Sequence, residues 1–128
     1  MIVILVHWQI RPEQEADFLD YWRRSAAVRD RAGLIGEFLS RVVPGEAAGL
    51  PWITWRLPEE AGTDAAHYLN VGLWASEAAF LGQIAGMFDD DRPIAPFELR
   101  RRRRMMVAPQ AWRIGGATLP EGDSTGVA

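Results

Sequence analysis

The sequence predicts an α+β domain of ferredoxin-like order, β-α-β-(loop)-β-α-β, with an antiparallel sheet carrying two helices on one face. Three observations predict it. Strand-like segments recur at residues 2–10, 36–43, 66–74 and 97–107, the first of them rich in β-branched residues. Two segments of helical periodicity stand between them, one after the first run and one after the third. The chain has 128 residues, the length of one domain with a single core.

The elements follow in order. "IVILVHWQI" reads as the first strand, residues 2–10. Pro12 suits the first turn of a helix. In the helix expected over residues 12–32, Glu13, Glu15 and Asp17 come early, and Arg23, Arg24, Arg29 and Arg31 come late, an order that complements the helix dipole. Phe18, Leu19, Trp22 and Ala26 give it an apolar face, and Gly33 stops it. "GEFLSRVV" is the second strand, ended by Pro44-Gly45. Residues 44–65, rich in Pro and Gly, read as an irregular insertion with at most one short strand or hairpin arm. "AHYLNVGLW" is the third strand, residues 66–74. Ser76 is placed to cap a second helix, "SEAAFLGQIAGMF", with Glu77 in its first turn. After the loop "DDDRPIAP" comes the fourth strand, "FELRRRRRMMV". "APQAWRIGG" is a candidate extension of the sheet. The domain is expected to span 1–114, with residues 115–128 as a loose tail.

Composition excludes several classes of function. There is no cysteine, so disulfides, thiolate catalysis and cysteine-based metal sites are out. The two histidines, His7 and His67, lie far apart in sequence and outside any metal-binding spacing, so no metal site is expected. The Asp89–Asp91 cluster reads as a solvated loop rather than a cation site. "MIVILV" is too short to cross a membrane and lacks the flanks of a signal peptide, so the expectation is a cytoplasmic protein without a membrane partner. All 14 basic residues are arginine, which with the Ala, Gly and Pro content suggests a GC-rich bacterial genome.

Five of those arginines are consecutive, Arg100 to Arg104, in a chain of net charge -3. Strand alternation splits such a run between two surfaces. The odd positions share a face with Phe97, Leu99, Met105 and Val107, so Arg101 and Arg103 are expected to point inward and Arg100, Arg102 and Arg104 outward. A β-bulge would alter this parity. A run divided in this way is not the single basic patch that nucleic-acid binding uses, and no nucleic-acid partner is expected.

The third strand and the start of the second helix, "YLNVGLWASEAAFL", resemble the antibiotic-biosynthesis-monooxygenase-like family of the dimeric α+β barrel superfamily. The carrying pattern is an apolar strand followed by Trp-x-Ser-x-x-x-Phe, here Trp74, Ser76 and Phe80. "RAGLIGEFLSR" is similar to the family's small-residue junction before the second strand, and Phe18 and Trp22 fit its first helix. The likeness covers about residues 1–108, with 44–65 as an insertion. It implies a homodimer whose two sheets form a joint barrel. In members that oxidise polycyclic aromatics without flavin or metal, an Asn and a Trp on this strand line the pocket; the matches are Asn70 and Trp74. The related haem-degrading branch places a ligating His ten residues after the Trp, where this chain has Ile84, and an Asn in the first strand, which has none. Both departures argue against haem chemistry.

The functional expectation is a cofactor-independent monooxygenase of an aromatic or polyketide-like ligand. Asn70 would hydrogen-bond a substrate oxygen, Trp74 would pack the ring, and Arg101 or Arg103 would hold the anion. Tyr68 and Gly72 share the strand face of Asn70 and Trp74; with Trp22 and Phe80 they complete the expected pocket. His7 is a candidate acid–base group, although a lone strand histidine is more often a hydrogen-bonded core or interface residue. Trp52 and Trp55 could close over a flat ligand, but anchoring their loop or covering the partner subunit is the favoured reading. The alternative is a non-catalytic ligand-binding or assembly protein of the same superfamily, in which Trp74 only fills the core and Asn70 only bonds backbone.

Overall fold

A computed structural model describes residues 1–24, 30–42, 64–84 and 92–118. Among these residues there are four strands: β1 (Ile2–Ile10), β2 (Leu34–Arg41), β3 (Ala66–Trp74) and β4 (Glu98–Val107). They form one antiparallel sheet in the order β2-β3-β1-β4. Two helices accompany them, α1 (Glu15–Arg24) and α2 (Glu77–Ile84). This is the α+β ferredoxin-like architecture that the sequence predicts. Among the described residues no helix is long and apolar enough to cross a membrane.

β1 and β3 have the predicted bounds. The first helix differs: Pro12–Gln14 form a 3-10 turn, and the α-helix starts at Glu15. Residues 25–29, which the predicted helix included, lie outside the described residues, as do most of the 44–65 insertion, with Trp52 and Trp55, and the Asp89–Asp91 loop. β2 starts two residues earlier than expected, at Leu34, and ends at Arg41. The segment 109–116 does not extend the sheet; it is irregular and mostly exposed, with Trp112 at 67% and Ile114 at 91%. Past Val107 the neighbouring strand runs out, since Val107 pairs with Val3 and β1 begins at Ile2.

The helix-facing side of the sheet holds the core. Even-numbered residues of β1 and β3 pair across the ladder, Ile4 with Gly72, Val6 with Asn70 and Trp8 with Tyr68. Under α1 these merge into an aromatic cluster centred on Phe18, which is fully buried. Its ring lies 4.9 Å from Trp8, 5.1 Å from Tyr68 and 5.5 Å from Phe97. Truncating such a residue to Ala typically costs about 3–5 kcal/mol. A second cluster, Ile4, Trp74 and Phe80, sits under α2. Ser76 caps that helix as predicted, its Oγ accepting from Ala79 N at 3.1 Å. Gly33 has a packing role: a Cβ there would stand 2.5 Å from the Ala79 Cβ, and its carbonyl accepts from Ala75 N at 2.9 Å. The junction therefore requires a residue without a side chain for α2 to dock.

The parity expected for Arg101 to Arg104 is reversed, while Arg100 is exposed as expected. Arg102 and Arg104 are half-buried on the helix-facing side, while Arg100, Arg101 and Arg103 are exposed. Arg104 pairs with Val6 and Arg103 with His7, which fixes the faces. The ladder shifts register twice between His7 and Ile10, and the two shifts together restore the alternation at Glu98. Phe97 does join the core on the helix side, but Met105 and Val107 misled because they belong to the open face of the sheet, which is itself apolar. Phe38 and Met105 are exposed there beside Val71 and Leu5. Arg102 lies 4.3 Å from the Trp8 ring centroid and pairs with the fully buried Glu98. The five charges are split between two surfaces.

Candidate functional site

A pocket opens on the helix-facing side, at the α2 end. Ile4, Val6, Gly72, Trp74, Phe80 and Ile84 make its apolar walls, and Glu37, Asn70 and Arg104 are its polar groups. Its volume is about 50 Å³. That accepts a few water molecules and is far below the usual size of a ligand pocket.

The floor is a consequence of Gly72. On β3 the alternation places Asn70, Gly72 and Trp74 on one face. Gly72 leaves a gap between its two large neighbours, and the Trp74 indole leans over it: a Cβ at position 72 would lie 3.0 Å from Trp74 Nε1. Trp74 is itself buried and held edge-on against Phe80, with centroids 5.6 Å apart.

Asn70 is held from two sides. Its Oδ1 accepts from Trp22 Nε1 at 2.8 Å, and its Nδ2 donates to Glu37 Oε1 at 2.9 Å. The indole N–H can only donate and the carboxylate oxygen accepts, so the amide orientation is determined by its partners. Three elements, α1, β2 and β3, thereby converge on one side chain. Burial pushes the Glu37 carboxyl above its ordinary value; the Asn70 hydrogen bond and the Arg31 charge oppose this more weakly.

Of the residues expected at the site, Asn70, Trp74, Gly72 and Phe80 line the pocket and Trp22 supports Asn70. Tyr68 shares their face but lies at the other end, where its hydroxyl donates to Glu15 Oε1 at 2.7 Å and Arg41 Nε reaches the same oxygen at 2.8 Å. Burial and the Glu15 carboxylate push the Tyr68 phenol up to about 12. Arg101 and Arg103 are not brought to the pocket; Arg104 is. Arg101 instead donates to the Arg92 carbonyl at 2.7 Å. His7 is on the opposite face, with its Nε2 2.9 Å from His67 Nδ1 and the two rings stacked. Burial, His67 and Arg103 all lower the His7 pKa.

Sequence reasoning missed Glu37 and Arg104. Glu37 had a signal, a carboxylate inside the otherwise apolar "LIGEFL", but its address depends on the pairing of Glu37 with Gly72. Arg104 was assigned to the wrong surface.

No protein-family model matches the chain, and no curated protein matches it significantly. Solved structures do share its fold. One is a mutant of MhuD with two manganese protoporphyrin IX molecules bound per active site: 15% identity, TM-score 0.53, covering 90% of this chain and 100% of that one. Another is a monooxygenase from the gene ActVA-Orf6 of Streptomyces coelicolor, in complex with nanaomycin D: 12% identity, TM-score 0.55, covering 89% of this chain and 91% of that one.

The porphyrin in the first of these calls for a test of fit. Ile84, the position that the resemblance would give to an iron ligand, meets the pocket as a hydrocarbon. The other polar groups are an amide, a guanidinium and a carboxyl already bonded to that amide. Both histidines lie on the other side of the sheet. This donor set does not fit an axial ligand for a haem.

Proposed function

We propose that the chain is a small monooxygenase of the antibiotic-biosynthesis type, acting without a cofactor on an aromatic or polyketide-like substrate. The observation that carries this reading is the convergence of Asn70 and Trp74 on one pocket, with Asn70 held rigidly by Trp22 and Glu37. The shared fold with a monooxygenase that holds nanaomycin D supports it.

The roles follow from geometry. Asn70 keeps a second amide hydrogen for a substrate oxygen. Trp74 and Phe80 present ring surfaces for packing. Arg104 replaces Arg101 and Arg103 as the group that holds an anionic oxygen, from a wall otherwise made of Ile4 and Val6. An electron-rich carbanion or enolate donates to O₂ directly; one oxygen atom goes to the ring carbon and the other leaves as water. The protein supplies orientation and a fixed positive charge. A substrate of several rings requires α2 to move off the sheet, since the pocket holds only about 50 Å³.

The working unit is a homodimer through the open sheet face. Leu69, Val71 and Leu73 of β3 lie there only half-buried, beside the exposed Phe38 and Met105. An apolar face of this kind is normally covered.

The test is oxygen uptake with a dihydroxyanthrone in chelator-treated buffer, corrected for spontaneous oxidation. Arg104→Ala should lower the protein-dependent rate on the order of 10²-fold, and Asn70→Ala should lower it as well. Equal rates for wild type and Asn70→Ala would refute the assignment. The small pocket favours a second reading, a non-catalytic ligand-binding or assembly protein. A stoichiometric co-purified ligand in native mass spectrometry, with no oxygen uptake, would select it.

A further inference from the structure

Glu37 is the pocket group that the roles above leave without a task of its own. It stands on β2, opposite Gly72 in the β2–β3 ladder. Gly72 has no side chain, so no Cβ stands between the carboxyl and the pocket, and the Trp74 indole leans over that position. Asn70 Nδ2 donates to Oε1 at 2.9 Å and sets the orientation of the group. A carboxylate has about four acceptor sites, so one fixed donor leaves it the capacity to take a proton.

Arg104 lies on the far side of the same cavity. With the sheet order β2-β3-β1-β4, two strands separate it from Glu37. At ordinary strand spacing the two backbones are about 14 Å apart, and their side chains reach toward each other over Gly72, Ile4 and Val6. One wall therefore carries a carboxyl, the other a permanent cation, and the floor between them is apolar. That polarity suits a flat conjugated ligand that arrives with a hydroxyl and becomes an oxyanion.

We infer that Glu37 is the proton acceptor of this pocket, taking the hydroxyl proton of a phenolic or enolic ligand whose oxyanion charge is held by Arg104. The inference rests on the reading that the pocket takes an aromatic ligand, and it narrows that ligand to one with an ionisable ring or enol hydroxyl. The step balances without an oxidant. The ligand O–H bond breaks, its electron pair stays on the ligand oxygen, and an O–H bond forms on Glu37. Delocalisation through the ring then carries the charge toward Arg104.

Burial supports the role, because a carboxyl raised above its ordinary value is closer in basicity to a phenol. The charged groups that face Glu37 among the described residues are few. Arg31, just before β2, opposes the rise; from β4 comes Arg104. Asn70 of β3 and Trp22 of α1 are neutral, and α2 contributes Phe80 and Ile84.

Two measurements test it, with Glu37→Gln as the variant. Gln can still accept from Asn70 Nδ2 through its side-chain oxygen, so the support of Asn70 survives; a thermal melt checks this. In the first, 4-nitrophenolate binding is measured by calorimetry in buffers of different ionisation enthalpy, at a pH where the free phenol is ionised. Wild type should take up about one proton per ligand bound, and Glu37→Gln close to none. A purely structural Glu37 produces no such linkage, so absence of proton uptake by the wild type overturns the inference, as does absence of binding. In the second, the pH profile of kcat/KM for dihydroxyanthrone is compared. Glu37→Gln should lower the rate on the order of 10²-fold and lose the acidic limb. If the limb and rate persist, the inference fails while the monooxygenase reading stands. If proton uptake is seen without turnover, the inference holds and the monooxygenase reading fails.

Discussion

Arg102→Ala should be the costliest alanine substitution in the arginine run. Glu98 is fully buried as a side chain, and Arg102 is 18% exposed, with Nε 3.3 Å from Oε1. A second guanidinium nitrogen is 3.4 Å from Oε2, which also accepts from Ala95 N at 2.9 Å. Deleting one partner of a buried ion pair costs about 3–5 kcal/mol, because the other charge is left without compensation. Here the contacts are long and the arginine is partly wet, so a figure at or just below the bottom of that range, about 2–3 kcal/mol, is the better one. The guanidinium also lies 4.3 Å from the Trp8 ring centroid, a contact worth about 0.5–1 kcal/mol. The sum is about 3 kcal/mol.

The assay is equilibrium urea unfolding at one fixed protein concentration, since association would otherwise shift the midpoint. Arg100→Ala and Arg103→Ala serve as exposed controls and should stay within about 0.5 kcal/mol of wild type. Adding Glu98→Gln to Arg102→Ala removes the stranded charge while keeping an acceptor for Ala95 N. The double variant should recover roughly half of the loss, and the cycle measures the coupling. The reasoning is refuted if Arg102→Ala falls within the control range, or if Arg103→Ala costs as much.

Three further predictions concern other parts of the fold. Gly33→Val should destabilise by about 1–3 kcal/mol through overpacking, because its Cβ would meet Ala79 at 2.5 Å; combining it with Ala79→Gly should restore part of the loss in the same urea assay. His7 has a folded pKa below its ordinary 6.5, so the unfolded chain binds more protons just below that pH. Its contribution is therefore complete above about pH 6.5 and declines as the pH falls through the folded value. Glu37 has the opposite sign, its contribution being lost as pH rises through its raised value, so the difference between wild type and His7→Phe isolates the histidine; a flat difference across this range would count against it. Val71→Asp should convert a dimer to monomers in sedimentation, an effect on the order of several kcal/mol, and a monomeric wild type would remove the dimer.

What the sequence made legible was periodic and local. β3 alternates cleanly and is closed by Ser76, so its bounds and the shared face of Asn70 and Trp74 could be read directly. The Gly33 junction and the cap on α2 were likewise visible as residue types. What stayed hidden depends on contacts distant in sequence. Glu37 reaches the pocket through a β2–β3 register set across the connection 42–65, and no local pattern fixes that register. Arg104 was hidden for another reason. Apolar residues mark a core face only when the opposite face is polar, and β4 has Met105 and Val107 on the side away from the helices. Its buried side carries Glu98, Arg102 and Arg104; Glu98 and Arg102 pair with each other, and Arg102 also lies over the Trp8 ring. Hydrophobicity therefore ranked the two faces in the wrong order.

The helix-facing side is divided into two unequal halves, and this decides how the pocket can open. At the Tyr68 end, α1 is fastened by Phe18 in its aromatic cluster and by the Glu15, Tyr68 and Arg41 contacts. At the Gly72 end, the described part of α2 has one buried residue, Phe80, while Leu81 is 38% exposed. Moving α1 would expose the rings around Phe18 and break the Trp22 hydrogen bond that orients Asn70. Moving α2 exposes Phe80, at about 1.5–3 kcal/mol, and uncovers part of Ile4 and Trp74 beneath it, but it leaves the Trp22–Asn70–Glu37 chain intact. A ring bound against Trp74 would replace the face that Phe80 gives up. Entry past α2 is therefore the route that enlarges the pocket while preserving its polar groups.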